Sequence, residues 1–281
     1  MRTVHTRADA REAVADARRS GRRIALVPTM GYLHEGHLSL VDRARERADY
    51  VAMSVFVNPL QFGVGEDLDR YPRDLERDAA LARERGVDLL FAPSPEEMYP
   101  AGEPLVRIVP GPLADRLCGA SRPGHFEGVL TVVGKLFHLV SPDVAIFGQK
   151  DYQQALLIRR MVRDLDFPVE IDVAPIVREA DGLAMSSRNV YLNDEERARA
   201  LAISAGLARA LEAYRGGERD GARILDVARE TIAAASEVRI EYLELVHPDT
   251  LEPIATADAG SVIAVAAHVG RTRLIDNVIL E

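Results

Sequence analysis

Apolar runs alternate with segments of helical periodicity along the first two thirds of the chain. The runs lie at 22–27, 50–57, 88–93, 143–147 and 169–173 and are rich in aliphatic residues. The run at 50–57 is nearly continuous, which is typical of a strand that is buried on both faces of a parallel sheet. The connections between the first runs are a dozen residues or longer, which suits right-handed helical crossovers. This part of the chain is therefore predicted to form an α/β domain around a parallel sheet.

The last third of the chain has a different pattern. Two helices are predicted at about 193–214 and 220–235, where Ala, Arg and apolar residues recur at helical spacing. The runs that follow are predicted to form antiparallel strands at 238–246, 262–267 and 273–280. A group of two helices and three strands after an α/β region indicates a smaller α+β domain. We expect the boundary near residue 176.

Residues 93–128 are irregular and rich in Pro and Gly. They contain one weak predicted strand at 105–109. Near their end, Arg122 and His125 could approach a substrate from a loop that covers a site, although a structural role in the loop is the simpler interpretation. An apolar helix is predicted to follow at 129–139.

Composition and charge narrow the functional classes. The chain has 281 residues and a net charge of −9, which argues against a broad nucleic-acid surface but allows a small basic pocket. The single cysteine, Cys118, excludes an intrachain disulfide framework and fits a reducing compartment. The N-terminal segment lacks the apolar core of a secretory signal, and no run approaches the ~18 apolar residues of a membrane span. We therefore expect a cytoplasmic protein with neither a membrane nor a nucleic acid as partner.

The most informative stretch is 27–40, V-P-T-M-G-Y-L-H-E-G-H-L-S-L. A strand leads into it, Gly31 marks a tight turn, and His34 and His37 lie three residues apart at a helix start. A helix N-terminus presents unpaired N–H groups, and residues i and i+3 share one face, so both imidazoles could point at one phosphate. The alternative is a buried turn whose histidines cap the helix. Zinc is disfavoured because no cysteine pair or third histidine lies at ligand spacing.

Polar side chains follow two other predicted strands. Asn58 and Gln61 come directly after the run at 50–57, and Lys150 and Gln154 follow the run at 143–147. Ligands of open α/β sheets bind at strand ends, so the amides are candidates for hydrogen bonds to a polar substrate. A lysine at a helix start can meet a phosphate as a point charge. An Asn-Pro turn and a solvated lysine are the structural alternatives.

A third group of candidates lies just after the predicted domain boundary. Ser186, Ser187 and Arg188 follow the turn signal Asp181-Gly182. Two small donors beside a forked guanidinium form a natural clamp for a triphosphate. This segment is expected to move during the reaction.

Four strings between residues 28 and 189 resemble the pantothenate synthetase family, which belongs to the H-x-G-H class of nucleotidyl transferases. In chain order they are P-T-M-G-Y-L-H-E-G-H, V-N-P-L-Q-F, G-Q-K-D-Y-Q-Q and S-S-R-N. The first string is a strong signal, whereas the tetrapeptide H-x-G-H alone is a modest one. The C-terminal hundred residues add little to the resemblance beyond a compatible length.

The resemblance implies a Rossmann-like domain at 1–176 that binds ATP and pantoate, followed by a C-terminal α+β lid domain at 177–281. It also implies an ATP-dependent ligase that condenses pantoate with β-alanine to pantothenate. The path would run through an enzyme-bound pantoyl adenylate and release AMP and pyrophosphate, with Mg²⁺ on the phosphates. The family further implies a homodimer.

The residues that match the family's motifs take the roles that the resemblance implies. The implied catalytic residues are His34, His37, Lys150 and Arg188. The implied ATP-binding residues are Met30, Gly31, His34, His37, Gly148, Gln149, Lys150, Asp151, Val177, Met185, Ser186, Ser187 and Arg188. The implied pantoate-binding residues are Asn58, Gln61 and Gln154. Acidic residues such as Asp78 are candidates for holding Mg²⁺ through water.

Two other functions stay open at this point. One is another H-x-G-H enzyme, a nucleotidyltransferase whose product keeps AMP attached, which an assay for free AMP distinguishes. The other is a nucleotide-binding protein without catalysis. Lys150 and the Ser-Ser-Arg segment disfavour the latter, because a mere binder does not need groups that clamp pyrophosphate.

Overall fold

The computed structural model describes residues 1–281, and their first two thirds are built on a parallel sheet. Its six strands are β1 (Arg2–Val4), β2 (Ile24–Thr29), β3 (Tyr50–Val55), β4 (Leu89–Phe91), β5 (Val144–Gly148) and β6 (Glu170–Ala174). Their order across the sheet is β1–β4–β3–β2–β5–β6, and every neighbouring pair is parallel. The predicted parallel α/β sheet is therefore confirmed.

The helices in this part of the chain alternate with the strands. They are α1 (Arg7–Arg19), α2 (Glu35–Arg47), α3 (Leu75–Glu84), α4 (Pro95–Met98), α5 (Cys118–Ser121), α6 (His125–Val140) and α7 (Tyr152–Asp164). Helix α2 packs against β2 and β5, and its Leu38 and Val41 join the buried aliphatic core of the sheet. Ile24 and Leu26 of β2 are at most 1% exposed, as expected for a central strand that is covered on both faces.

The last third forms the predicted α+β arrangement. Its elements are α8 (Asp194–Arg215), α9 (Gly221–Ala233), β7 (Val238–Val246), β8 (Val262–Val269) and β9 (Thr272–Ile279). The three strands form an antiparallel sheet in the order β7–β8–β9. Asn193 and Glu196 form a capping box that starts α8, and Leu207, Ile224 and Val265 lie in the core between the two helices and the sheet. No helix of the chain combines the length and the apolar composition that crossing a membrane requires.

The chain divides into two units whose boundary does not coincide with one point in the sequence. The first unit contains Met1–Asp115, Gly119–Gln149 and Gln154–Pro175. The second contains Ile176–Glu281 together with two short segments, Arg116–Cys118 and Lys150–Gln153. Lys150, a candidate for phosphate binding, therefore belongs by its contacts to the C-terminal unit.

Of two predictions about residues 93–139, the weak strand is wrong, whereas the apolar helix is confirmed with an earlier start. The segment 105–109 forms no strand, and the backbone N–H of Ile108 donates to Thr131 Oγ1 of α6 at 3.0 Å and not to a neighbouring strand. The helix that was predicted to begin at 129 begins four residues earlier, at His125. His125 therefore lies in the first turn of α6 and not in a covering loop. The short edge strand β1 was not predicted, since three residues carry no periodicity.

Candidate active site

The turns after β2, β3 and β5 leave the sheet at its carboxyl edge and carry many of the predicted site residues. Chain order reverses at β2, which has β3 on one side and β5 on the other. Such a reversal opens a crevice for ligands in α/β sheets. The turn after β2 carries His34 and His37, the 3-10 turn after β3 carries Gln61, and β5 ends at Gly148 followed by Gln149.

Close packing shapes the turn after β2. Thr29 Oγ1 donates to the carbonyl of Ser54 at 2.7 Å and accepts from the N–H of Gly31 at 3.2 Å. Gly31 has a φ of +84°, and a Cβ there would lie 2.8 Å from Val55 Cγ1 and 2.9 Å from Asp78 Oδ2. Both the backbone conformation and the space around it therefore require glycine.

The carboxylate of Asp78, in α3, holds the same turn. Its Oδ2 accepts from the N–H of Tyr32 and its Oδ1 from the N–H of Leu33, each at 2.7 Å. The side chain is 1% exposed, and this burial raises the pKa of Asp78 although the two hydrogen bonds oppose the shift. A carboxyl group that is closed to solvent and spends both oxygens on backbone donors is unsuited to holding Mg²⁺ through water. The suggested magnesium role of Asp78 is therefore replaced by a role in shaping the turn.

His34 and His37 lie side by side at the start of α2. His34 is the N-cap residue, but its side chain makes no capping hydrogen bond, so the interpretation of these histidines as helix caps is wrong for His34. Its carbonyl accepts from the N–H of His37 at 2.8 Å. The two half-buried rings stack with centroids 4.0 Å apart and an interplanar angle of 29°. Two imidazoles next to the positive end of a helix dipole form an arrangement that suits an anion.

Gln61 lies at the end of a buried network after β3. Its Nε2 donates to Met30 Sδ at 3.1 Å, and its Oε1 accepts from Asn58 Nδ2 at 3.2 Å. Asn58 Nδ2 also donates to the carbonyl of Gly128 at 3.0 Å, and Asn58 Oδ1 accepts from the hydroxyl of Tyr99 at 2.8 Å. Burial raises the pKa of Tyr99, which keeps this hydroxyl a donor at neutral pH.

This network changes the interpretation of Asn58. The residue is 1% exposed, and both its amide nitrogen and its oxygen bond to protein groups. Direct contact with a substrate does not fit these bonds, because a substrate would have to displace them from a closed site. Asn58 instead supports the side chain of Gln61.

The start of α6 supports Gln61 from its backbone side. His125 Nδ1 donates to the carbonyl of Gln61 at 2.7 Å, and Arg122 Nη2 donates to the same oxygen at 3.3 Å. Arg122 also forms two hydrogen bonds with the carboxylate of Glu66, at 2.6 and 2.7 Å. Sequence reasoning placed Arg122 and His125 in a loop and missed this role, because the contact spans about sixty residues of sequence.

Gly128 allows this close approach of α6. A Cβ at this position would lie 2.3 Å from the carbonyl oxygen of Leu60 and 2.7 Å from the N–H nitrogen of Gln61. Any side chain would therefore push the helix and the 3-10 turn apart. A glycine three residues after His125 was the only sequence signal for this contact.

The predicted residues after β5 lie in a 3-10 turn and in the first turn of α7. The turn Gln149–Asp151 contains Lys150 and Asp151, and Gln154 is half-buried one helical turn further on. The carbonyl of Lys150 accepts from Asn277 Nδ2 at 3.0 Å. This buried amide of β9 is a contact that no motif indicated.

The Ser-Ser-Arg segment follows a small hairpin of the C-terminal unit. Met185 N donates to the carbonyl of Val177 at 3.0 Å, and an antiparallel bridge joins Arg178 and Ala184. Ser186 then caps the 3-10 turn Ser187–Tyr191, its Oγ accepting from the N–H of Arg188 at 3.2 Å. The hairpin thus presents Ser186, buried Ser187 and half-buried Arg188 in one tight turn.

Comparison with known proteins gives a consistent result. The family model described as pantoate-beta-alanine ligase matches residues 2–279. The pantothenate synthetase of Moorella thermoacetica is 56% identical over 281 residues, which cover 100% of this chain and 99% of that protein. The crystal structure of pantothenate synthetase from Thermus thermophilus superposes with a TM-score of 0.95 at 53% identity, covering 100% of this chain and 99% of the other.

A more distant structure matches over the same length. The pantoate-beta-alanine ligase of Francisella tularensis, crystallised with beta-gamma ATP and β-alanine, has a TM-score of 0.81 at 33% identity and covers 99% of this chain and 97% of the other. A family model and two solved structures thus agree over nearly the whole chain, and the motifs between residues 28 and 189 agree with them. The chain belongs to the pantoate–β-alanine ligase family, the pantothenate synthetases.

Proposed function

We propose that the residues described above carry out the two steps of the family's reaction. The chain is an ATP-dependent ligase that condenses pantoate with β-alanine to pantothenate through a pantoyl adenylate, with release of AMP and pyrophosphate. The observation that best supports our assignment of residues is the stacked His34–His37 pair at the start of α2. It supplies two imidazoles and a helix dipole to one anion.

In the first step the carboxylate of pantoate attacks the α-phosphorus of ATP. The carboxylate is ionised at neutral pH, so the protein needs no nucleophile of its own. A bond forms between the carboxylate oxygen and phosphorus, and the bond to the pyrophosphate oxygen breaks. The protein contributes by aligning the reactants and by stabilising the charge that develops on the departing pyrophosphate. The residues we assign to that charge are His34, His37, Lys150, Ser186, Ser187 and Arg188.

The other residues that we assign to ATP follow the same turns. They lie after β2, after β5 and in the hairpin of the C-terminal unit, and they are Met30, Gly31, Gly148, Gln149, Asp151, Val177 and Met185. A Cβ at Gly148 would meet nothing within 4 Å, so the backbone there is open to a close approach by the nucleotide, whereas glycine at 31 is required by the packing of the turn.

Pantoate is assigned to the two glutamines. Gln61 and Gln154 are neutral amides that can both donate and accept, which suits the hydroxyl and carboxylate groups of pantoate better than a triphosphate. Gln61 is held from two sides, at its side chain by Asn58 and at its carbonyl by His125. This support limits its rotamer freedom before substrate binds, which lowers the entropy lost on binding.

In the second step the amine of β-alanine attacks the activated carbonyl carbon. The amine of β-alanine first loses one proton to solvent, because its ammonium form has no lone pair. The C–N bond then forms, the C–O bond to AMP breaks, and the second proton also leaves to solvent. No covalent acyl-enzyme is needed, which agrees with the burial of Cys118.

Magnesium enters the proposal only as part of the nucleotide substrate. No group of three or more His, Cys, Asp or Glu side chains is placed to hold a metal ion, and Asp78 is committed to the turn after β2. We therefore assign Mg²⁺ to the phosphates of ATP and to no particular protein side chain. Mg²⁺ commonly binds ATP through phosphate oxygens and water.

The order of the steps can be tested by isotope exchange between pyrophosphate and ATP. We expect exchange that requires pantoate and proceeds without β-alanine, because adenylation precedes the arrival of the amine. Lys150→Ala should suppress this exchange. Exchange that strictly required β-alanine would refute the two-step path, whereas full exchange in Lys150→Ala would remove the lysine from the mechanism.

Assembly and compartment are proposals that rest on the family and the composition. We propose a cytoplasmic homodimer. Three exposed apolar side chains in the segment 105–109 give a second copy an apolar surface to cover, with Leu105 101%, Val106 87% and Val109 73% exposed. Light scattering should give twice the chain mass for the native protein and a lower mass for Val106→Asp.

A further inference from the structure

We propose that the neighbouring residues Asp276 and Asn277 of β9 are positioning residues for adenylation. Each holds one of the two segments of the C-terminal unit that we assign to the triphosphate, Asn277 the Lys150 turn and Asp276 the hairpin that leads to Ser186. This inference rests on the proposed function, namely that both segments act on the phosphates of ATP.

The contact with Lys150 is made by a buried side chain. Asn277 is 2% exposed, and its Nδ2 donates to the carbonyl of Lys150 at 3.0 Å. The hydrogen bond goes to the backbone, so it sets the path of the 3-10 turn and leaves the ammonium group available for a phosphate. A buried side chain packed at native density has little freedom to change rotamer, which makes it a rigid support.

The contact with the hairpin is made by the preceding residue. Asp276 Oδ2 accepts from Arg178 Nη1 at 2.7 Å, and Oδ1 accepts from Arg178 Nη2 at 3.0 Å. This bidentate geometry fixes direction as well as distance. Arg178 also donates to the carbonyl of Gly182, at 3.2 Å, within the hairpin whose last residue precedes Ser186. The side chain of Asp276 is only 3% exposed, so little solvent competes for this pair.

The two contacts originate from one point of a paired strand. Successive side chains of a strand point to opposite faces, so adjacent residues can reach two different segments. Asp276 and Asn277 pair with Val265 and Ala264 of β8, and the N–H of Asn277 donates to Asp276 Oδ1 at 2.8 Å. Groups that are supported from strands are held more precisely than groups supported from loops. The pair therefore sets the spacing between the Lys150 turn and the hairpin.

The spacing between the Lys150 turn and the hairpin affects the adenylation step of the reaction. Adenylation and its reversal need donors aimed at pyrophosphate, and a shift of about 1 Å in such donors costs up to ~10²-fold in rate. Attack of β-alanine on the finished adenylate involves no pyrophosphate. Loss of the Asn277 contact should therefore slow the first step and spare the second, a split that a general loss of stability would not produce.

The test compares Asn277→Ala with the wild-type chain. We expect pantoate-dependent exchange between pyrophosphate and ATP to fall by about 10- to 100-fold, while conversion of supplied pantoyl adenylate and β-alanine to pantothenate stays within about twofold. Asn277→Asp is the second variant, because it keeps the shape but replaces the donor with a carboxylate that repels the Lys150 carbonyl. If Asn277→Ala does not fold, the same two half-reactions are measured for Asn277→Asp, and the same difference between them is expected.

Ser261→Ala is the matched control. Ser261 is 3% exposed, and its Oγ accepts from the N–H of Asp258 at 3.1 Å. Its backbone bonds join it to Asp258 and Leu280, which belong neither to the Lys150 turn nor to the hairpin. It should lose thermal stability and keep its exchange rate. Equal losses of both half-reactions in the Asn277 variants, or wild-type exchange in them, would overturn the proposal.

A double-mutant cycle separates this inference from the function on which it rests. If Asn277 acts through Lys150, Asn277→Ala should add less than about twofold in the background of Lys150→Ala. Wild-type exchange in Lys150→Ala alone would refute the phosphate role of the lysine. Exchange that falls strongly in Lys150→Ala, and falls again by the full factor when Asn277→Ala is added, would support the phosphate role of the lysine. It would refute the positioning role of Asn277.

Discussion

Replacing Gly128 by alanine tests whether the close approach of α6 to the turn after β3 matters for pantoate. The change adds one methyl group in a helix, where alanine is normally favoured over glycine by about 0.8–1.0 kcal/mol. Local helix propensity therefore predicts a more stable protein. The backbone atoms packed against Gly128 instead predict that the variant uses pantoate less efficiently.

The size of the disturbance follows from the contacts of the added carbon. It would lie 2.3 Å from Leu60 O and 2.7 Å from Gln61 N, both backbone atoms that no side-chain rotation can move. Relief requires that the helix and the 3-10 turn separate by about 1 Å, a misplacement that costs on the order of 10²-fold when it affects a positioned group. The same separation weakens the bond from Asn58 to the carbonyl of Gly128, which is 3.0 Å long. We expect kcat/KM for pantoate to fall by roughly 10²-fold.

Gly134→Ala provides the matched control in the same helix. A Cβ there would lie 2.6 Å from Ile108 Cδ1, the far end of a side chain that can rotate away. The measurement is steady-state kinetics with pantoate varied, alongside calorimetric binding of ATP, which both variants should retain. Wild-type kcat/KM for pantoate in Gly128→Ala, or equal losses in both variants, would show that the contact does not position Gln61.

Three other predictions address separate parts of the site, and a fourth concerns pH. His37→Ala should slow pyrophosphate release by at least ~10²-fold, which is the scale for loss of a preorganised charge-stabilising group. Near-normal release in a folded variant would remove His37 from the mechanism. Gln61→Ala should keep calorimetric binding of ATP and lose that of pantoate, and the reverse would mean that the pockets are assigned wrongly. Asp78→Ala leaves two backbone N–H groups without their acceptors, so urea unfolding should show a loss of about 1–3 kcal/mol in unfolding free energy for each, and an unchanged stability would contradict this role of the carboxylate. Burial is the largest single influence on the pKa of Glu66 and raises it, but the hydrogen bond and the charge of Arg122, with smaller contributions from His125 and the backbone of Gly63, together lower this pKa below the ordinary 4.5. The stabilisation from the Arg122–Glu66 pair is therefore present above about pH 4.5 and lost as pH falls further. The difference in Tm between wild type and Glu66→Gln should therefore shrink on acidification below about pH 4.5, and a constant difference would contradict the ion pair.

The sequence predicts those features of the fold that depend on local pattern. Apolar runs and the lengths of their connections were enough for the parallel sheet, and the local pattern was enough for the helix near 193–214 and for the antiparallel strands. It was also enough for the neighbouring positions of His34 and His37, because an i, i+3 spacing at a helix start is a local property. The segment 105–109 shows the limit of such reasoning. Its residues favour a strand, but no neighbouring strand edge accepts it, and tertiary context overrides the propensity.

The supporting residues of the site were not predictable in the same way. The position of Asn58 after a strand allows a substrate ligand or an Asn-Pro turn, and the family string V-N-P-L-Q-F favours the ligand. Its partners nevertheless include Tyr99 and Gly128, which lie far away in sequence. Asn277 lies 127 residues from Lys150 and belongs to no motif. Motifs indicate side chains that meet a ligand, whereas the groups that hold those side chains are determined by tertiary contacts.

The short segments 116–118 and 150–153, which group with the C-terminal unit, limit how this chain can be dissected or recombined. A fragment that ended at residue 175 would keep the Lys150 turn but lose the amide of Asn277 that bonds to its carbonyl. A fragment that began at 176 would keep Tyr242 but lose Cys118, whose sulfur lies 3.1 Å from the tyrosine hydroxyl. A chimera with a single crossover near residue 176 would likewise combine the Lys150 turn of one parent with the Asn277 of the other. Chimeras between relatives should therefore exchange all three pieces of the C-terminal unit together.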